Sequence, residues 1–403
     1  MTRSVAPRNI PSPEGRGPAA GAPSANGAVV IVGGGFGGLY TALSLAEQRD
    51  HPPLLLVEPQ ERFLFLPLLY ELLSGELRRW EIAPRYDALL AGRGIAWLRD
   101  SVVRIDARSQ RLETAAGREL SYGQLVLATG ARGQSFGIPG VVEHALGFRT
   151  LADVERLQQL VQQLRQQRRP LQRIAIVGAG PSGVELACKL ADLLEGAAVV
   201  ELIEQGPTLL PQARAFNREQ AELALQRRDV RLRSHCRVLA VGSDHLRLET
   251  AQGAEQLAVS AVVWTAGLAF QPPAVEPAPQ RDRIGRLQVR ETLQLLGQDR
   301  IFAVGDLASL PDLAPTAQVA FQQASCLAQN LMRGHRGEAL HPFAFNDLGE
   351  MLSLGRGEAS LVAGGVTLAG PAAFQLRRLA YLTRLPGRSH QLRVAAGWLA
   401  DWS

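Results

Sequence analysis

Apolar positions along the chain recur in one pattern: a short run of small and β-branched residues, a cluster of glycines, then apolar residues at helical spacing. The first instance is Ala28–Gly38, AVVIVGGGFGG, which continues as LYTALSLAEQ. An unbroken apolar run of this kind reads as a buried strand, and the stretch after the glycines reads as a helix. A second apolar strand, LLLVE, ends at Glu58. The pattern returns at Arg173–Val177 (RIAIV), with Gly178, Gly180 and Gly183, the helical run VELACKLADLL, and the strand AVVELIE ending at Glu204. Further strands are predicted at Ile95–Leu98, Val102–Ile105, Leu125–Ala131, 261–268 and 300–309, and RLETAAGREL (111–120) predicts an antiparallel excursion about a Gly turn. Residues 61–90 are too apolar for a surface loop and predict a pair of core helices, punctuated by Pro67 and Gly75. Thr150, with Asp153 three residues on, opens a helix whose apolar positions are Leu151, Val154, Leu157, Leu160, Val161 and Leu164. Ala314–Met332 predicts another helix, 343–370 short strands with Gly turns, and 374–403 two amphipathic helices broken at Pro386-Gly387.

The glycines carry the first chemical information. Gly33, Gly35 and Gly38 stand at G-x-G-x-x-G spacing between strand and helix. The first makes the tight turn, the second admits a pyrophosphate to the backbone, and the third lets helix and strand pack closely; the helix N-terminus then faces the phosphate charge. Glu58 stands about twenty residues beyond Gly38, where an acid accepts a ribose hydroxyl. One such loop is a weak signal. Its repetition at Gly178, Gly180, Gly183 and Glu204 predicts two dinucleotide sites.

Composition narrows the class. With 403 residues, 46% hydrophobic and 20% charged, the chain has the makings of two to three globular domains. The net charge is +5, and most of the surplus comes from Arg377, Arg378, Arg384, Arg388 and Arg393 near the C-terminal end. That distribution excludes a broad nucleic-acid surface and suggests an anionic membrane surface. Cys188, Cys236 and Cys326 form no C-x-x-C, disulfide framework or zinc spacing, so no metal site is expected. No apolar run reaches the ~18 residues of a membrane span. Residues 1–27, rich in Pro, Gly, Ala and Ser, read as a disordered tail.

Taken in order, the first Gly loop, Ala128-Thr129-Gly130, the second Gly loop and Gly305-Asp306 resemble the markers of the two-dinucleotide-binding-domain flavoproteins, over about 28–345. The resemblance implies an α/β fold of two Rossmann-like domains, glutathione-reductase-like, with FAD at the first loop and NADH or NADPH at the second. Asp306 would accept hydrogen bonds from the FAD ribityl hydroxyls, or cap a helix. Within that superfamily the chain resembles the type II NAD(P)H:quinone oxidoreductases. LPLLYELLSGEL resembles their flavin-side segment, and GAGPSGVELACKL places Glu185 where they have a Glu near the nicotinamide. AQVAFQQA (317–324) resembles their quinone-site motif. Gln318 and Gln322, one helical turn apart, would present two amides on one face to quinone carbonyls, or form a polar face at a domain seam. Glu185 would orient the nicotinamide or relay a proton; the plainer alternative is a surface carboxylate. Glu204 favours NADH, because it would repel a 2′-phosphate. LLYELLSGELRRWEIAP resembles the cyanobacterial and plastid branch that acts on demethylphylloquinone, which allows NADPH. Gly123 departs from a family position that is often acidic.

The expected organisation is therefore a tail (1–27), a first part of the FAD domain (28–149), an NAD(P)H domain (150–269), a second part of the FAD domain with the glutamine helix (270–345, entered through a Pro-rich linker at 271–285), and a membrane-associating C-terminal segment (346–403). The implied activity is hydride transfer from NAD(P)H to flavin and two-electron reduction of a membrane quinone without proton pumping. The enzyme would sit peripherally on the cytoplasmic face of a plasma or thylakoid membrane. Phe374, Tyr381 and Leu385, and then Leu392, Ala395, Leu399 and Trp402, form the stripes expected to meet lipid; the alternatives are docking on the core or pairing of two copies. The competing activities are a soluble ferredoxin- or rubredoxin-type reductase, which needs neither glutamine motif nor tail, and a redox sensor without turnover. Disulfide reduction and sulfide oxidation need spaced reactive cysteines that this chain lacks.

Overall fold

The glycine-punctuated repeats build two parallel sheets with equivalent connectivity. The computed structural model describes residues 27–167 and 169–400, so the expected tail up to residue 26, and Trp402, lie outside the described residues. In the first unit β1 (Val29–Val32) enters α1 (Phe36–Ala46), and β2 (Leu54–Val57), β3 (Ile95–Leu98) and β4 (Gln124–Leu127) follow. The second unit supplies β5 (Ala145–Leu146), β6 (Arg173–Val177), β7 (Val199–Ile203), β8 (Arg231–Arg233) and β9 (Ala261–Trp264). β10 (Ile301–Ala303) then returns to the first sheet, whose order is β10-β4-β1-β2-β3; the second reads β5-β9-β6-β7-β8. Corresponding strands occupy corresponding places, with β1 and β6 at the centre of each. β5 joins the second sheet from ahead of residue 150.

Successive residues of β6 face two different cores, as strand pleating requires. Ile174 and Ile176 join the core shared with the first unit, while Ala175 and Val177 face a second core beneath the strands of 237–258. The Thr150 helix is α2 (Leu151–Gln167), and its capping box is formed: Thr150 Oγ1 accepts from Asp153 N at 3.1 Å, and Asp153 Oδ2 accepts from Thr150 N at 2.9 Å. α3 (Pro181–Leu194) follows the second loop, and α4 (Ala317–His335) packs along α1. α4 starts later than the sequence predicts because Thr316 caps it, its side chain accepting from Val319 N.

Two expectations are corrected. Residues 61–90 form a 3₁₀ turn and three short helices, Leu69–Leu73, Arg79–Ile82 and Tyr86–Leu90, rather than a helix pair. Their apolar side chains fill the gap between the units, and Gly75, at φ +74°, breaks the run. The Pro-rich 271–285 stretch is more than a linker: Ala274–Glu276 adds a parallel edge strand beside Val102–Asp106.

A three-stranded antiparallel sheet, β11 (Glu350–Ser353), β12 (Ala359–Ala363) and β13 (Val366–Gly370), precedes α5 (Pro371–Leu382) and α6 (Arg388–Ala400). Ion pairs tie its β11–β12 turn to both units. Lys189 of α3, fully buried, pairs with Glu76, whose Oε1 accepts from Gly357 N at 2.9 Å. Arg228 bridges Asp192 at 2.7 Å and Glu358 at 3.4 Å.

The C-terminal helices are partly core. Phe374 and Leu385 are buried, and Tyr381 stacks edge-on against Phe65, so the first stripe expected to face lipid faces protein instead. Of the second stripe, Leu392 and Leu399 are exposed and Ala395 is half-buried. Leu376 and Leu379, on the opposite side of α5 from its buried residues, are exposed as well.

Candidate functional site: two dinucleotide cradles and a buried carboxylate cluster

The two glycine loops have the same geometry. Gly33 and Gly178 have φ of +100° and +102°, accessible at no cost only to glycine. A Cβ on Gly38 would fall on the Gly33 carbonyl oxygen, and one on Gly183 on that of Gly178, so both helices lie against their loops. Gly35 and Gly180 are the N-cap residues of α1 and α3, with no side-chain cap, and a Cβ on either would meet nothing within 4 Å. The open space and the uncapped N–H groups are what an approaching pyrophosphate uses.

Each strand-end acid braces its loop. Glu58 Oε2 accepts from Gly34 N at 2.7 Å, and its Oε1 accepts from Gln60 N at 2.8 Å. Glu204 repeats both bonds, from Ala179 N at 2.8 Å and Gly206 N at 2.7 Å. Burial lifts the Glu58 carboxyl above its ordinary range in spite of its two backbone bonds.

Gly33 packs on the Ala128 carbonyl, which brings the Ala128-Thr129-Gly130 turn beside the first loop. Gly305, at φ +74°, sits across from Gly37 and opens a 3₁₀ turn that contains Asp306. The cap position of that turn is Val304, so Asp306 is not the N-cap. No group among the described residues hydrogen-bonds its carboxylate. Burial raises its pKa, against the pull of Arg149 and Arg286. A half-buried carboxylate left free at the mouth of a glycine cradle fits the hydroxyls of a bound dinucleotide.

Gln323, which the sequence reading passed over, holds this turn: its Oε1 accepts from Gly305 N at 2.8 Å. It lies on the buried stripe of α4 with Val319, Ala320, Ala324 and Leu327. An amide set among apolar residues at helical spacing was the signal that could have found it. Gln318 and Gln322 do share the other face. Gln322 is engaged by the loop beyond, its Nε2 donating to Asn346 O at 2.8 Å and its Oε1 accepting from Asn346 N at 3.0 Å. The Gln318 amide has no partner among the described residues. Between them, Phe321 meets Tyr40 at 4.9 Å in an aromatic cluster that continues through Phe36, Phe65 and Tyr381.

Glu185 is no surface carboxylate. It is 8% exposed, and its Oε1 accepts from Ser353 N at 2.8 Å. Tyr70 also hydrogen-bonds it, and Arg377 Nη2 lies 3.8 Å away. Burial pushes its pKa up to about 7, offset in part by Arg377 and Ser353 and reinforced by Glu71. Cys188, one turn on, is buried with its thiol pushed up to about 12, which makes it an inert packing residue.

The comparisons agree with this geometry. The chain belongs to the pyridine nucleotide-disulphide oxidoreductase family, which matches residues 27–324. It is 38% identical to the demethylphylloquinone reductase NdbB of Synechocystis sp., over 93% of this chain and 97% of that one. It is 37% identical to the alternative NAD(P)H-ubiquinone oxidoreductase C1, chloroplastic/mitochondrial, of Arabidopsis thaliana, over 92% of this chain and 80% of that one. Among solved structures, NDH2 from Plasmodium falciparum in complex with NADH superposes with a TM-score of 0.80 at 18% identity, over 91% of this chain and 97% of that one, a likeness of fold. Within the family the chain groups with the type II NAD(P)H:quinone oxidoreductases.

Proposed function

We propose that the chain is an FAD-dependent NAD(P)H:quinone oxidoreductase, with FAD at the first loop, NADH or NADPH at the second, and a naphthoquinone of the demethylphylloquinone type as acceptor. The observation that carries this reading is the duplicated cradle: two loops of one geometry, each braced by a strand-end Glu, in a chain whose relatives are named for NAD(P)H and quinones. Bound FAD would supply the two-electron relay between nicotinamide and quinone. The protein's share is to hold and orient. Gly33, Gly35 and Gly38 cradle the FAD pyrophosphate, Glu58 stands at its ribose, Ala128-Thr129-Gly130 and Gly305-Asp306 flank it, and Gly178, Gly180, Gly183 and Glu204 repeat the cradle for the nicotinamide nucleotide. Gln318 offers a free amide to a quinone carbonyl, beside the aromatic wall of Phe321 and Tyr40. Glu185 holds a proton near neutral pH, and quinone reduction consumes one: NAD(P)H, a proton and quinone become NAD(P)⁺ and quinol.

Steady-state oxidation of NADH and NADPH against benzoquinones, naphthoquinones and ferredoxin tests the reading. Naphthoquinone reduction is expected; turnover with ferredoxin alone would sink it. Gln318→Leu should raise the quinone KM about five- to tenfold, the worth of one hydrogen bond, and leave the nicotinamide KM unchanged. Gln322→Leu would also release residue 346 and is the less clean variant.

Peripheral attachment is part of this proposal. No described helix is long and apolar enough to cross a membrane. Leu376 and Leu379 on α5 and Leu392 and Leu399 on α6 are exposed, with the exposed Arg388 and Arg393 nearby in sequence, a composition suited to an anionic lipid surface. Removing 374–403 is a poor test, because Phe374, Arg377, Leu385 and Val394 are buried. Leu376→Glu with Leu392→Glu spares them. This pair is expected to abolish co-sedimentation with anionic vesicles while activity on a water-soluble quinone persists.

A further inference from the structure

Three parts of the chain, distant in sequence, converge on Glu185 of α3: the 67–71 segment, β11 and the C-terminal helix α5. From α5, Arg377 is 1% exposed and reaches inward between two carboxylates. Its Nη1 hydrogen-bonds Glu71 Oε1, its Nη2 donates to Pro67 O at 2.6 Å, and the same Nη2 stands 3.8 Å from Glu185 Oε1. Glu71, in the helix Leu69–Leu73, is fully buried, and Ser353 Oγ of β11 lies 3.3 Å from its Oε1. Tyr70 bonds Glu185 and Ser182, and Tyr381 stacks beneath the Arg377 guanidinium at 4.8 Å. Lys189, the buried cation on α3 itself, is paired away with Glu76. Two buried carboxylates therefore share one cation. Glu71 Oε2 and Arg377 Nε are both buried without a partner, so the cluster has unfilled hydrogen-bonding capacity at its centre.

We propose that Arg377 is a positioning residue for proton delivery: shared between Glu71 and Glu185, it controls whether Glu185 holds the proton that quinone reduction consumes. With both carboxylates ionised the cluster carries net negative charge in a medium that penalises it, and one proton restores neutrality. Glu185, farther from the guanidinium than Glu71, is the carboxyl that takes it. α5 thereby becomes part of the reacting unit, and the site is incomplete without it. The inference rests on the proposed quinone reductase reading, but its central claim concerns the protonation of Glu185 and can be read without turnover.

The cluster predicts shifts of opposite sign for its two neighbours. Removing the cation in Arg377→Met leaves Glu185 harder to ionise; removing the like charge in Glu71→Gln leaves it easier. In the pH profile of kcat/KM for quinone, activity should fall as Glu185 loses its proton, near pH 7. That limb is expected to move up by about one pH unit in Arg377→Met and down by about as much in Glu71→Gln, the scale of one nearby charge. Arg377→Lys, which keeps the cation, should hold the limb near its wild-type position. Glu185→Gln should remove the limb. pH-difference infrared spectroscopy reads the protonated carboxyl band that Glu185→Gln removes, and should titrate with the same shifts. If Arg377→Met fails to fold because Glu71 is left unpaired, the double variant Arg377→Met/Glu71→Gln removes both charges, and its band should titrate close to the wild type. Shifts of the same sign in the two single variants, no shift in either, or a limb and band that survive Glu185→Gln would overturn the proposal. A wild type that reduces no quinone would instead defeat the functional reading, and the infrared titration would still decide the inference.

Discussion

Gly35→Ala is expected to fold and to purify without flavin, whereas Gly180→Ala is expected to keep its flavin and lose nicotinamide binding. Both glycines have φ near −70° and extended ψ, which alanine adopts without strain. A Cβ at either position meets no protein atom within 4 Å, so nothing in the fold opposes it. The space it fills is the approach of the pyrophosphate to the helix N-terminus. Lost hydrogen bonds to a charged group are worth about 1.5–3 kcal/mol, or roughly 10- to 100-fold in affinity. Flavin absorbance of the purified protein reads the first effect, and the NADH KM at saturating quinone reads the second. Gly38→Ala and Gly183→Ala should behave differently from both. Their Cβ atoms would collide with the carbonyls of Gly33 and Gly178, backbone that cannot move aside, so these variants should lose soluble yield before cofactor binding is at issue. Flavin retained by Gly35→Ala together with flavin lost by Gly180→Ala would reverse the assignment of the two loops.

Lys189→Met is expected to destabilise the protein by about 3–5 kcal/mol, the cost of leaving one member of a buried ion pair alone. The Lys189 side chain is fully buried, and Glu76, its partner, joins the first unit to the β11–β12 turn through Gly357. Lys189→Met with Glu76→Leu should recover most of the loss, since an apolar pair of similar volume replaces the ions. Thermal midpoints of the three variants and the wild type measure it. The pair also has a pH signature. Burial works against the Glu76 charge, but Lys189 together with the hydrogen bonds from Ser74 and Gly357 outweighs it and holds the carboxyl below its ordinary 4.5. A depressed carboxyl adds stability that is complete above the unfolded pKa and lost as pH falls through the folded one. Wild type should therefore lose stability on acidification below about 4.5 more steeply than the double variant.

Much of the site could be read in the chain because its geometry is local. A strand, three glycines and a helix specify a cradle within about ten residues. Glu58 and Glu204 stand at the ends of the adjacent strands, so their distance from the loop follows from one β-α-β crossover. Gln318 and Gln322 share a face because they are one turn apart. Glu185 was placed by its neighbours in GVELACKL, but its burial was not, since its cover comes from Ser353 and Arg377, far along the chain. Glu71 and Arg377 look in sequence like ordinary charges on amphipathic helices. Only their meeting makes them a buried pair.

The C-terminal helices show the same limit. Along α5, apolar residues occur on more than one side: Phe374 and Tyr381 on one, Leu376 and Leu379 on another. Periodicity identifies a helix with apolar faces and cannot say which face meets protein. The choice is made by residues 63–81, where Phe65 receives Tyr381 and the Pro67 carbonyl and Glu71 receive Arg377.

By itself, then, the sequence determined what the backbone must do locally: two cradles, the acids at their strand ends, the Thr150 cap and the glutamine face. Each depends on residues within a single β-α-β unit or helix, where spacing alone sets geometry. The tertiary structure alone decided which charges are buried together, which C-terminal face is left to solvent, and that Asp306 is free while Gln322 is engaged. Those outcomes depend on desolvation and on partners outside the same unit or helix, from 24 residues away for Gln322 to 306 for Arg377 and Glu71, and no local pattern encodes them.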